Sequence, residues 1–152
     1  MPITLDEVRR MLDVDEPDYP RIATSVGPEV HAHLAALVEG SDPMLASKAA
    51  YLAGLVSGPN AVQVLEKAAS HVEPRVRIAA AAAISRLAVP AAESLVLRLL
   101  ADKDVGVRKL AVATAAAKPS AGLRSRLEAM KTGDPEHHLR RAAGEALLKF
   151  GP

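Results

Sequence analysis

The chain has 152 residues, 49% of them hydrophobic, and carries 19 Lys+Arg against 18 Asp+Glu for a formal charge of +1. That size suits one domain, and so small a net charge supplies no field for non-specific capture of nucleic acid or an anionic membrane. Cysteine is absent, which excludes disulfides, thiolate nucleophiles and Cys-based metal sites, and aromatics at 2% argue against a sandwich or barrel core.

Alanine and leucine dominate, and both favour helix. The first element, "TLDEVRRMLD", opens on a Thr4/Glu7 capping box, and "DYPRIATSVGP" closes on a Gly-Pro stop, so residues 3–27 are expected to form a degenerate capping repeat. Asp13, Asp15, Glu16 and Asp18 make that cap polar, as a terminal repeat facing water should be. No apolar leader region follows Met1, and the longest weakly polar run, Ile78 to Ile84, is far short of the ~20 residues a span requires. A cytoplasmic protein without membrane association is therefore expected.

Beyond the cap the chain repeats itself. Pro28, Pro59, Pro90 and Pro119 are spaced by 31, 31 and 29 residues, while Pro43 and Pro74, and Arg77 and Arg108, are each 31 apart, and Arg140 follows 32 residues later. Four segments align on this register, "DPMLASKAAYLAGLV", "EPRVRIAAAAAISRL", "DVGVRKLAVATAAA" and "EHHLRRAAGEALLKF", each the second helix (B) of a pair. The first series of prolines marks the start of the A helices, expected over 29–39, 60–71, 91–101 and 120–131 with apolar stripes such as Leu34/Leu37/Val38, Leu95/Leu99 and Leu123/Leu127/Met130. The B helices are expected over 43–56, 74–87, 105–117 and 136–149, with Asp42, Glu73, Asp104 and Asp134 as acidic caps or first-turn residues. The repeats then run 28–58, 59–88, 89–118 and 119–150, and with the cap the count is expected to be complete at five helix pairs in one domain, 1–152.

The pattern Asp/Glu-Pro-x-Val-Arg-x-x-Ala-Ala, clearest in "EPRVRIAAAAA" and echoed by "DVGVRKLAVA" and "HHLRRAAGEA", resembles the bacterial HEAT-like repeat. The resemblance covers nearly the whole chain and implies an all-α, right-handed α-solenoid of the HEAT/armadillo type, whose commonest role is to bind other macromolecules. Related repeats occur in phycobilisome chromophore lyases, in proteins that excise alkylated DNA bases, and in regulatory partner subunits of enzymes. The absence of Trp and the +1 charge weigh against the DNA reading, so nucleic acid is not an expected partner.

Arg77, Arg108 and Arg140 recur at one position of the repeat. Side chains so placed are expected to hold repeats together through acids at the neighbouring loops, Asp42, Glu73, Asp102, Asp104 and Asp134, rather than to track phosphates. Arg75, Lys109 and Arg141 are the better candidates for work outside the stack. His31 and His33 point apart on one helix, His137 and His138 are adjacent, and His71 is expected to sit as an imidazolium in the last turn of an A helix. No metal site, cofactor or catalytic constellation is expected.

The B helices are expected to line the concave side of the stack. If Val76, Ala80, Ala83 and Leu87 face inward, the outer column is Arg75, Ala79, Ala82 and Arg86, matched by Met44, Lys48, Tyr51 and Leu55, by Gly106, Leu110, Ala113 and Ala117, and by His138, Ala142, Glu145 and Lys149. Apolar Met44, Tyr51, Leu55 and Leu110 among the cations Lys48, Arg75, Arg86 and Lys149 form the candidate groove for another protein. The expected function is a noncatalytic scaffold or adaptor, with an accessory subunit of a lyase-type enzyme as the alternative.

Overall fold

The computed structural model describes residues 2–87 and 89–151, and every regular element in it is helical. In chain order these are α1 (Leu5–Leu12), α2 (Tyr19–Ser25), α3 (Val30–Val38), α4 (Pro43–Leu55), α5 (Ala61–Ala69), α6 (Pro74–Ile84), α7 (Val89–Leu100), α8 (Val105–Ala117), α9 (Ala121–Gly133) and α10 (His137–Leu147), followed by a short 3₁₀ turn, Leu148–Phe150. The odd-numbered helices form one row and the even-numbered ones another. From α3 onward each odd helix packs on the even helix after it, and each packs on the next member of its own row. Helices α1 and α2 lean chiefly on α3 and α4. The result is a solenoid in a single unit. Among the described residues no helix is long and apolar enough to cross a membrane.

Local chemistry sets the helix ends. Thr4 and Glu7 form the reciprocal capping box, Asp18 caps α2, Asp42 accepts from the amides of Met44 and Leu45, Asp104 from that of Val107, and Ser120 from that of Leu123. Pro43 and Pro74 occupy the first turns of α4 and α6, where their missing N–H leaves no gap in the ladder. Pro28, Pro59 and Pro119 stand just ahead of α3, α5 and α9 rather than inside them, and only Pro90 lies within its helix.

Three expectations change. Glu73 is the N-cap residue of α6, as expected, but its side chain makes no cap bond. Asp134 is not the N-cap of α10, which begins at His137 behind Glu136; it is the C-cap residue of α9. Helix α6 stops at Ile84, so Ser85 to Leu87 form a turn, and the repeat boundary expected at Ala88 lies outside the described residues. At the other end α10 passes into the 3₁₀ turn before Gly151, whose φ of 72° suits glycine.

The core is a continuous ribbon between the two rows. Leu34, Leu65, Leu99, Leu123 and Leu127 come from the odd row, and Leu52, Ile84 and Leu139 with many alanines come from the even row, all at most about 1% exposed. Each such leucine contributes roughly 1.5–3 kcal/mol by leaving water. Alanine does different work: it lets the even-row helices approach closely, most intimately at α4 and α6.

Candidate protein-binding face and the arginine ladder

The repeated arginines are built into the stack. The Nη1 group of Arg77 donates to the carbonyls of His71 (2.8 Å) and Val72 (3.0 Å), while its Nε and Nη2 donate to the two carboxylate oxygens of Asp102 at 2.8 and 3.1 Å. Arg108 repeats the arrangement, with Nη1 on the carbonyls of Asp102 (3.0 Å) and Lys103 (3.2 Å) and the other edge on Asp134 at 3.0 and 3.3 Å. Both guanidinium groups are buried, so the fork-to-fork pairing and the carbonyls together compensate the loss of water. Each aspartate also accepts the amide two residues on, Asp104 N–H or Glu136 N–H, both at 2.9 Å. Burial pushes the Asp134 carboxyl up, but the Glu136 amide, the hydrogen bond and charge of Arg108 and the charge of Arg140 outweigh it and hold the group below the usual carboxylate range.

His71 stands where those aspartates stand, just beyond the end of α5. Its Nδ1 accepts the Glu73 amide at 3.0 Å, so it serves as an acceptor in the loop beyond the helix and not in the last turn of α5 where it was expected. His31 is buried between the carbonyls of Pro28 (3.1 Å) and Ala53 (3.3 Å), and His33 reaches the carbonyl of Ile3 (2.9 Å), so the two rings do point apart. A recess of about 340 Å³ beside Asp134 is lined by Asp102, Arg108 and Arg126 among others. Both of its carboxylates are held by guanidinium groups, which leaves them no lone role as acid or base; the buried Nε of Arg126 has no hydrogen-bond partner among the described residues.

On the even row, Tyr51 is half-buried at the centre of a cluster. The ring of Tyr19, one repeat earlier, meets it edge-on at 68° with 4.7 Å between centroids, and the guanidinium of Arg86 lies 5.5 Å over its face. Lys48 donates to the carbonyl of Val14, and Met44 and Val14 are 54% and 48% exposed. These residues come together. Leu55 and Leu110 are half-buried against the core, while Arg75, beside Met44 in register, and Lys149, on the 3₁₀ turn, are exposed. Arg141 pairs with Glu145 on its own helix at 3.2 Å, and Lys109 is exposed. Tyr51 therefore does not stand alone: an aromatic ring from α2 packs against it. Tyr19 stands one residue after the Asp18 cap and Tyr51 nine after the Asp42 cap, so the repeat offset does not align them and their contact comes from how α2 packs on α4.

The family model for HEAT repeats matches residues 31–117, more than half the chain. The chain belongs to the HEAT repeat family. Among solved structures, this HEAT repeat chain superposes on a chain from the complex of CpcE and CpcF of phycocyanin lyase from Nostoc sp. PCC7120 with a TM-score of 0.73 and 18% identity, covering 93% of this chain and 96% of that one. An engineered protein matches at a TM-score of 0.58 and 18% identity over 96% of this chain and 78% of that one. A designed armadillo repeat protein in complex with the peptide (KR)4 gives 0.58 and 18% over 96% and 81%. No curated protein sequence matches.

Proposed function

We propose that this HEAT repeat solenoid is a noncatalytic protein-binding scaffold whose even-row face carries the contact. The observation that supports it most is the Tyr19–Tyr51–Arg86 cluster: a pre-stacked aromatic pair under a guanidinium, left half-open beside exposed Met44 and Val14. Aromatic side chains already held by neighbours lose little entropy on binding, and an apolar patch with Lys48, Arg75 and Arg86 at its edge has the composition of an interface centre with a polar rim. The close packing of neighbouring even-row helices fits an inner, concave side for that row. Leu55, Leu110 and Lys149 extend the same face.

The test is affinity capture by the purified chain and its Tyr51→Ala variant, with mass spectrometry of what is retained and titration of the leading partner. Affinity should fall by about 2 kcal/mol or more, as for an interface hot spot, with helicity preserved. Partner capture unchanged in the folded variant would move the contact to another face.

A second reading rests on the likeness to the phycocyanin lyase complex, a likeness of fold at 18% identity: the chain would be the accessory subunit of a lyase-type enzyme. A bilin-bearing protein or a second HEAT-like chain among the captured partners would favour it over a general adaptor.

A further inference from the structure

The formal charge of +1 is unevenly spread. Helices α4, α6 and α8 contain no aspartate or glutamate: the acids stop at the residues just ahead of them, Asp42, Glu73 and Asp104. The odd-row helices α5, α7 and α9 mix the signs, with Glu66, Glu93 and Glu128 among their lysines and arginines. Two of the even-row cations, Arg77 and Arg108, belong to the stack and are matched by Asp102 and Asp134. The others lie on the outer face. Lys48 donates to a backbone carbonyl, that of Val14, the guanidinium of Arg86 covers the Tyr51 ring, and Arg75 and Lys109 are exposed. Charge of one sign along a face repels itself and costs the fold stability. Arg75 is the clearest instance, since it stands in the first turn of α6, the end at which the helix dipole favours an anion.

Between these cations the face is apolar. Tyr51 on α4, Ile78 on α6 and Leu110 on α8 are half-buried, and the Cδ1 of Ile78 lies 3.4 Å from where a Cβ on Gly106 would stand, so α6 and α8 meet in a closed floor there. A surface of this kind matches a ligand that alternates carboxylates with apolar side chains. Nucleic acid fits it less well, because bases want open aromatic platforms and the Tyr51 ring already lies under Arg86.

Resting on the reading that the even-row face carries the contact, we infer the chemistry of what it takes: an acidic, extended segment of another protein lying across α4, α6 and α8. Its carboxylates meet Lys48, Arg86 and Lys109, and its apolar side chains rest on Tyr51, Ile78 and Leu110. Packed helix axes lie about 8–10 Å apart and an extended chain advances about 3.3 Å per residue, so a carboxylate at every third residue or so meets one helix after another. The bordering acids set the path. Asp42, Glu73 and Asp104 stand at the N-terminal ends of the helices, and Asp13, Asp15 and Glu16 lie in the loop that holds Lys48, so the segment crosses beyond the first turns. On α10 the sign is no longer single, since Glu145 pairs with Arg141 at 3.2 Å, and the segment keeps to the three helices before it.

Fluorescence anisotropy with a labelled peptide repeating Glu-Tyr-Ser tests this on the 152-residue chain. Peptides repeating Lys-Tyr-Ser and Gln-Tyr-Ser and a single-stranded oligothymidylate are the comparison probes. The glutamate peptide should bind more tightly than all three, and added salt should weaken it. Arg86→Glu and Lys109→Glu should each lower its affinity about tenfold or more. Lys131→Glu, the same change of charge at an exposed position on α9, should leave it unchanged. Circular dichroism checks the fold of each variant; Lys109→Glu decides the matter alone if Arg86→Glu, which uncovers Tyr51, loses helicity. No binding of the glutamate peptide, or binding of any comparison probe as tight, would overturn the acidic class, and partner capture that still depends on Tyr51 would then leave the even-row face standing. Equal weakening by Lys131→Glu and Lys109→Glu would overturn the placement on this face as well, because net charge alone would account for the binding.

Discussion

Gly54 lies in α4 where that helix comes closest to α6. A Cβ placed there would sit 2.6 Å from the carbonyl oxygen and 2.7 Å from the Cβ of Ala83, and neither is the far end of a flexible side chain that could swing aside. Alanine is the better helix former by about 1 kcal/mol, so propensity alone would make Gly54→Ala stabilising. Steric overlap at the backbone decides otherwise: the helices must separate, and a net loss of about 1–3 kcal/mol is expected in urea unfolding. A gain in stability would show that α4 and α6 adjust freely. Nothing in "AYLAGLV" announces this glycine, because helical periodicity tells which face a residue takes but not how near the next axis lies. Tyr51 shows the same division. Its place on the outer face of a B helix followed from the repeat offset, but the Tyr19 edge and the Arg86 cover depend on how the first pair leans on α4 and on the turn that replaces the last part of α6.

Between elements, the ladder is what ties α8 to the loop ahead of α10. Repetition pointed to Arg77 and Arg108 as stacking residues, and Asp102 and Asp134 were among five acids near enough in sequence. Choosing between the acids required the loop register, which is tertiary, and Asp134 consequently read as a helix cap. Removing the guanidinium with Arg108→Ala leaves the Asp134 carboxylate buried and short of its partner, and a loss of about 3 kcal/mol is expected from denaturant unfolding. The pH dependence follows from the depressed titration of Asp134. Since its folded-state pKa lies below the unfolded one of about 3.9, the carboxylate contributes its stability above that value and loses it as pH falls through the lower folded-state value. Melting temperatures of the wild type and Asp134→Asn should therefore differ most near neutrality and converge as the solution is acidified below about pH 4. A gap that stays constant down to pH 2 would mean that the ion pair is not the source of the difference.

At the scale of the whole molecule, the stack has no centre apart from its junctions. Each helix touches its own partner and the adjoining repeats, so stability is close to a sum of local terms and nearest-neighbour interfaces. That is why the architecture was legible at once from proline and arginine spacing while the ends of α6 and α10 were not: the period is written into every copy, whereas a helix stops where its own turn chemistry and neighbours allow. The same logic locates the weak point. Leu99, 1% exposed, sits on α7, which packs against α5, α6, α8 and α9 at once. Leu99→Asp would put a carboxylate there with no partner, at a cost that exceeds what one interface contributes, so the repeats on either side lose their contact through α7. Leu148 provides the matched control, being 83% exposed on the 3₁₀ turn, so the same substitution there removes almost no buried surface. Leu99→Asp is expected to abolish the cooperative thermal transition and much of the helical circular dichroism, and Leu148→Asp to leave both within error of the wild type. Equal behaviour of the two variants would mean that the odd row is not the load shared between repeats, and the nearest-neighbour account of this solenoid would have to be abandoned.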